Sequence, residues 1–379
     1  MMMKMAVLPQ HLITDILSLL PVKSLLRFQC VSKPWFALIH DPYFINVYFE
    51  NNNNNGELSF IVETSELELS SPLRRWKYDY HLVNFSNEDE SMSEPLKIIP
   101  PFFRPHNLVV GCCNSLVCIL NYDDRCSPCN DFEIFIWNPS IKKYKRLPLV
   151  PIEPIEDNLL QQSLAFGYDP VNNDYKVLMI VYVMIDYRMK PLEIMICSLK
   201  ARSWRRVEDQ WPCKDSTISS GPVFSNGAFH WLIDSTRAGT LLAFDLITEK
   251  FRVQATPFKS YSIMGLNVLE GSLCVSVNTK DQDIGLQRIN VWTMKEYGVA
   301  SSWSRLYTVR RNFRHRRSLA FSNDGKKVLM QNMSQDLYWY DTNNKTWSIV
   351  FKNVRCNSPK YWAMSCVESL FLLDGDSDN

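Results

Sequence analysis

The stretch FDLITEKF, Phe244 to Phe251, has an aromatic ring at each end and a polar, turn-like middle. Rings at that separation face each other if one strand ends, the chain turns tightly, and the next strand begins. The same frame recurs as WNPSIKKY (Trp137, Tyr144), CSLKARSW (Cys197, Trp204) and YDTNNKTW (Tyr340, Trp347). With four extra residues it recurs as WTMKEYGVASSW (Trp292, Trp303). The frames start at 137, 197, 244, 292 and 340, so after a first step of 60 they recur every 47 or 48 residues.

A fixed period of this length marks a repeat architecture. It holds four short strands with their turns, which is the unit of a β-propeller blade. Strand-like runs with glycine or asparagine turns precede each frame: GCCNSLVCIL, LAFGYDPVNNDYKVLMI, FSNGAFHWLI, LEGSLCVSV and FSNDGKKVLM. The pattern predicts a mainly β chain with a propeller of six blades. Five or seven blades, or a less regular sandwich array, stay open. The rings belong on the last two strands of each blade, packing between blades. A degenerate blade comes from LSFIVE to KIIP, and YWAMSCVESLFLL near the C-terminus adds a strand that closes the ring. Closure removes the exposed sheet edge that invites aggregation.

The N-terminal stretch LPQHLITDILSLLPVKSLLRFQCVSKPWFALI, Leu8 to Ile39, has a different period. Leu12, Ile13, Ile16, Leu17, Leu19 and Leu20 recur at helical spacing with a wide apolar face. Pro9 suits the first turn and Pro21 ends the helix. Ser24 to Phe28 is a second short helix. A third starts at a Ser32 cap, tolerates Pro34 in its first turn, and carries Trp35, Phe36, Leu38 and Ile39. Three helices in about 40 residues make a marginal unit without a staple, and Cys30 is its lone cysteine. Each large aliphatic side chain left in water forgoes roughly 1.5–3 kcal/mol. That face is covered either by the rest of this chain or by another protein. Asn51 to Asn55 has no apolar residue and reads as a spacer. The expected domains are 1–50 helical, 51–57 spacer and 58–375 β.

Composition narrows the function. The formal net charge is +1, which argues against whole-surface attraction to nucleic acid or anionic membrane. The longest apolar run, VLMIVYVMI at Val177 to Ile185, is too short to span a bilayer and reads as a buried strand. MMMKMAVLPQHL lacks the small-residue cleavage site of a secretory signal. Eleven cysteines without a framework, several of them (Cys118, Cys197, Cys274) inside apolar runs, fit reduced thiols in the cytoplasm or nucleus.

Sites of chemistry are sparse. CSPC, Cys126 to Cys129, has metal-like spacing but lacks two further ligands nearby, so a plain loop is favoured. The six histidines form no HxH or HExxH pattern, and His230 reads as structural. No nucleophile elbow, phosphate loop or dinucleotide fingerprint is present. RRNFRHRR, Arg310 to Arg317, reads as an inter-blade connection rather than a nucleic-acid patch. No catalytic residue, metal site or cofactor is predicted.

The helical segment resembles a plant-type F-box, most specifically in LPVKSLLRFQCVSKPW. The resemblance implies that three helices bind a Skp-type adaptor, and through it a cullin–RING ubiquitin ligase. The matching positions are Leu8, Pro9, Ile13, Ile16, Leu17, Leu20, Pro21, Leu25, Val31, Ser32, Trp35 and Ile39. Gln10 and His11 stand where the family carries acidic residues, and Pro34 replaces an ordinary helix former. The remainder resembles the F-box-associated domain, a kelch-like cousin, through WNPSIKKYKRLP, FGYDPVNNDYKV, SLKARSWRRV, NGAFHWL, FDLITEKFRV and VWTMKEYGVASSWSRLYTV. Together they imply a non-catalytic substrate-recognition subunit whose β domain holds an unidentified protein for ubiquitination and proteasomal degradation. The alternative is a propeller-type binding module, lectin, enzyme or scaffold outside ubiquitination.

Overall fold

Three aromatic frames and the Cys197 frame are hairpins in the expected register: Trp137 opposes Tyr144, Cys197 opposes Trp204, Phe244 opposes Phe251, and Tyr340 opposes Trp347. The computed structural model describes residues 9–54, 58–68, 75–86, 91–100, 106–122, 132–151, 160–185, 188–213, 217–234, 239–259, 262–280, 287–310, 315–322, 324–332, 336–352 and 363–371. Among these, six four-stranded antiparallel sheets form a ring.

Blade 1 holds β1 (Leu58–Glu68), β2 (Arg75–Phe85) and β3 (Leu96–Ile98). Blade 2 holds β4 (His106–Cys113), β5 (Leu116–Tyr122), β6 (Phe132–Asn138) and β7 (Lys143–Arg146). Blade 3 holds β8 (Leu160–Asp169), β9 (Asp174–Ile185), β10 (Arg188–Ser198) and β11 (Ser203–Arg206). Blade 4 holds β12 (Thr217–Ser225), β13 (Ala228–Asp234), β14 (Thr240–Asp245) and β15 (Phe251–Ala255). Blade 5 holds β16 (Ile263–Leu269), β17 (Ser272–Lys280), β18 (Gln287–Met294) and β19 (Trp303–Arg310). Blade 6 holds β20 (His315–Phe321), β21 (Lys327–Asn332), β22 (Leu337–Asp341) and β23 (Trp347–Phe351). The last strand, β24 (Ala363–Ser365), pairs with β1 and becomes the innermost strand of blade 1. Each innermost strand lies beside the next around the centre, and β24 sits between β20 and β4. The C-terminal strand therefore closes the ring as expected.

Strands that are apolar on both faces stack between neighbouring blades. Val177 to Val183 of β9 are buried without a break. Odd and even positions serve opposite neighbours: Val177, Met179 and Val181 pack toward blade 2, and Leu178, Ile180 and Tyr182 toward blade 4. Every junction has such a cluster, including Phe60, Phe85 and Trp339 between blades 1 and 6, and Ile61, Val117 and Trp137 between blades 1 and 2.

FGYDPVNNDYKV explains itself in place. A Cβ on Gly167 would lie 2.5 Å from the Phe224 ring, so only glycine allows blades 3 and 4 to approach there. Asp169 accepts from the amides of Val171 and Asn172 and fixes the turn. Burial works to raise the Asp169 carboxyl, but hydrogen bonds from Asn172 and Lys176 outweigh it and hold the pKa below its usual value. Lys176 Nζ lies 2.8 Å from Asp169 and 3.3 Å from Glu249, and donates to the Leu246 carbonyl. Glu249 also pairs with Arg205 at 2.5 Å, which ties blade 3 to blade 4.

Two expectations about the frames need correction. In the long frame Trp303 faces Met294, while Trp292 faces Arg305, because the register shifts between Val291 and Trp292. Trp347 is 52% exposed on the outermost strand of blade 6, so not every ring packs between blades.

The N-terminal unit has four helices rather than three: α1 (Gln10–Ser18), α2 (Val22–Phe28), α3 (Lys33–Ile39) and α4 (Pro42–Asn54). The asparagine run is correspondingly not a spacer through its first four residues, which form the last turn of α4. Asn51 Nδ2 donates to Ser18 Oγ at 2.9 Å and Asn52 Nδ2 to the Tyr48 carbonyl at 2.8 Å. Those side-chain bonds hold a polar sequence in helical form. No helix among the described residues is long and apolar enough to cross a membrane.

Candidate adaptor-binding face and the two ends of the propeller

Local capping sets the helices. Ser32 Oγ accepts from the Trp35 amide, and Pro34 sits in the first turn of α3, as the sequence indicates. Asp41 Oδ1 accepts from the amides of Tyr43 and Phe44, with Pro42 opening α4. That Asp-Pro pair is the signal that could have revealed the fourth helix.

The helices bury a core of Leu17, Val22, Leu25, Ile39, Phe44, Ile45 and Tyr48, joined by Leu370 from the far end of the chain. Burial pushes the Tyr48 phenol well above its usual pKa. Ile141, on the turn after β6, and Phe371 complete this contact with the propeller. The Phe49 and Phe371 rings lie 5.2 Å apart.

This packing sorts the candidate adaptor residues. Leu17, Leu25 and Ile39 are fully inside, so they support the unit rather than forming its surface. Ile13, Leu20 and Trp35 are half-buried against the same core, and Ser32 is occupied as a cap. Pro9, Ile16, Pro21 and Val31 are exposed, and Leu8 lies outside the described residues. Apolar residues absent from the candidate set join the exposed ones: Leu12, Leu19, Phe36 and Tyr43. Leu12, Ile16 and the C-cap residue Leu19 follow one another at helical spacing, so they share one side of α1 and its cap. Ile16 is 53%, Val31 61% and Leu19 68% exposed.

The segment after β24 seats the helices. The Cys366 amide donates to the Ser59 carbonyl at 2.9 Å. The Ser369 amide donates to Ser140 Oγ, and buried Asn138 donates to Ser369 and Phe371. Leu370 and Phe371 are thereby held beside Ile141.

Antiparallel topology then fixes which connections share an end. The turns after the first and third strands of each blade lie at the helical end, with Ile141 on one of them. The second-to-third and inter-blade connections belong to the opposite rim. Arg310 ends β19, and His315 to Arg317 open β20, so the basic run brackets an inter-blade connection; residues 311–314 lie outside the described residues. The CSPC stretch also lies outside them. A cavity of about 530 Å³ occupies the centre, lined by Phe166, Phe224, Phe321, Cys112, Glu270 and Arg317 among others.

His230 is buried, and its Nε2 lies 2.9 Å from the Tyr297 hydroxyl of the long frame. Burial lowers its pKa to about 4, so the ring stays neutral and structural. Burial pushes the Cys197 thiol up to about 12 and the Cys274 thiol up to about 11. Among the described residues, no group of three or more His, Cys, Asp or Glu is arranged to hold a metal ion.

The F-box associated beta propeller domain matches residues 77–372, and an F-box-like domain matches residues 5–49. The chain is a member of the F-box proteins with an F-box-associated propeller. This F-box protein is 30% identical to "F-box protein CPR1" of Arabidopsis thaliana over 99% of this chain and 91% of that one. It is 28% identical to "F-box/kelch-repeat protein At3g23880" of the same plant, over 80% of this chain and 79% of that one. Among solved structures it is similar to Kuenenia stuttgartiensis hydrazine synthase, with a TM-score of 0.45 and 6% identity over 83% of this chain and 48% of that one. That likeness is too loose to bear on function.

Proposed function

We propose that this F-box protein is the substrate-recognition subunit of a Skp–cullin–F-box ubiquitin ligase, with its chemistry supplied by other subunits. The observation that carries this reading is what the folded helical unit leaves uncovered. Its core is filled by its own leucines and the propeller's Leu370. Outside that core Leu12, Ile16, Leu19, Val31, Phe36 and Tyr43 stay in solvent, the first three at helical spacing. Large apolar side chains left exposed on a unit that is already folded mark a protein interface. The occupant is a Skp-type adaptor, and the exposed members of the candidate set, Pro9, Ile16, Pro21 and Val31, contact it, whereas Leu17, Leu25 and Ile39 shape the face from behind.

The propeller rim opposite the helices holds the protein to be tagged. A closed ring is a stiff frame for many converging connections, which suits recognition. The subunit contributes proximity, holding a target lysine near a charged ubiquitin carrier. The site of action is the cytoplasm or nucleus. The test is retention of a Skp-type adaptor by the full chain and by an Ile16→Asp/Leu19→Asp variant. Retention by the wild type and its loss in a variant with an unchanged melting temperature support the reading. Equal retention by both removes the face from the interface.

A further inference from the structure

Successive residues of a strand point to opposite sides, so the neighbours Cys112 and Cys113 on β4 serve different cores. Cys113 packs toward blade 3 with Leu116, Phe166 and Met195. Cys112 turns the other way, onto Ile61, Val117, Trp137 and Cys366 at the junction of blades 1 and 2. Cys366 directly follows the ring-closing strand β24. It is held from two directions, by its amide on the Ser59 carbonyl and by its Sγ, 3.9 Å from the Ser115 carbonyl. Cys112 packs against the cluster that holds Cys366, where β24 lies beside β4, and both thiols are free. Cys112 also lines the central cavity, whereas Cys366 lies behind it at 4% exposure.

We propose that Cys112 and Cys366 form an oxidisable dithiol that hydrogen peroxide converts to a disulfide, closing the propeller ring covalently. Cys112, reached from the cavity, attacks one peroxide oxygen as the thiolate. The S–O bond forms as the O–O bond breaks, and the leaving hydroxide takes up the proton lost by Cys112 and departs as water. Cys366 then attacks the sulfenic sulfur. The S–S bond forms, the S–O bond breaks, and the released hydroxide leaves with the Cys366 proton as a second water. Two thiols lose two electrons in total, and one peroxide becomes two waters. The division of roles follows from position: contact with Cys112 and burial push the Cys366 thiol up, so it waits protonated while the accessible partner reacts.

The bond would fasten the closing segment to blade 2. A cross-link between residues far apart in sequence removes open-ring conformations from the unfolded ensemble. The same tail carries Leu370 and Phe371 under the helices, so their seat is fixed as well.

The test treats the full-length chain with hydrogen peroxide, alkylates the remaining thiols, and maps peptides without reduction. One joined peptide pair containing Cys112 and Cys366 is expected, lighter by two hydrogens than the separate thiol peptides and split by a reductant. In Cys366→Ser, a sulfenic-acid trap should label Cys112, and the oxidised wild type should melt at a higher temperature than the reduced one. Should Cys366→Ser fail to fold, the wild-type peptide map and melting shift still decide. Full alkylation of both thiols after peroxide overturns the proposal. So does Cys112 joined to Cys113 instead, or a joined pair with unchanged melting.

Discussion

The Asn138 amide donates to the Ser369 carbonyl at 3.3 Å and to the Ser369 hydroxyl at 3.2 Å, across 231 residues of chain. The same nitrogen reaches the Phe371 carbonyl at 3.1 Å, and the side chain is wholly buried. One residue at the end of β6 therefore anchors the tail that both closes the ring and seats the helices.

Asn138→Ala leaves main-chain carbonyls of the tail without that donor in a dry place. The expected loss is about 1–3 kcal/mol in urea unfolding. Limited proteolysis should also cut the variant earlier near residues 363–371. An unchanged urea midpoint would mean that the tail is held elsewhere.

Surface and core positions of α1 should part cleanly. Ile16→Asp with Leu19→Asp changes exposed residues, so melting should hold while adaptor retention falls at least tenfold. Leu17 is 2% exposed, and Leu17→Ala should cost about 2–5 kcal/mol through the cavity it opens. Its adaptor retention should fall only as far as the helices unfold. Calorimetry beside a pull-down separates the two outcomes.

The Lys176 ammonium is shared between Asp169 and Glu249. Lys176→Met leaves the fully buried Asp169 carboxylate without its cation, which should cost about 3–5 kcal/mol. Arg205→Ala removes a largely exposed partner of Glu249 and should cost about 1 kcal/mol or less. Chemical denaturation of both variants gives the comparison. Similar losses would show that burial does not set the difference.

His230 makes a prediction about acid. An unfolded imidazole takes up a proton below about 6.5, whereas the folded one resists until about 4 because burial disfavours its charge. Between those values the unfolded chain binds more protons, so this stabilisation is full above pH 6.5 and is lost as pH falls toward 4. At pH 5 the loss from this residue is about 2 kcal/mol. His230→Gln should flatten that part of the stability curve between pH 7 and pH 5, read from urea midpoints. A curve parallel to the wild type would clear His230 of the effect.

Much of the ring was legible because the blade repeat is written in paired residues at fixed spacing. Four frames fell into register, and the C-terminal apolar run found its place on β1. The long frame slipped because its register shift at Trp292 is a backbone event with no side-chain signature. The asparagine run misled because its helix depends on Ser18 and Tyr48, partners that local propensity does not contain. Among the candidate adaptor residues, resemblance supplied positions but not sides. Leu17, Leu25 and Ile39 turned inward into a core shared with Phe44, Ile45, Tyr48 and Leu370, with Ile141 against it, and nothing near residue 20 announces residues 141 and 370.

Blade 1 takes its first-made strands from near the N-terminus and its innermost strand from residues 363–365. A ribosome making this chain finishes the helices first, yet it cannot supply their support until residues 363–371 follow the other blades. A message cut short would thus release a protein with an open ring and an unsupported N-terminal unit. Assembly of the ring and of its helical unit is in this way conditional on synthesis having passed residue 371.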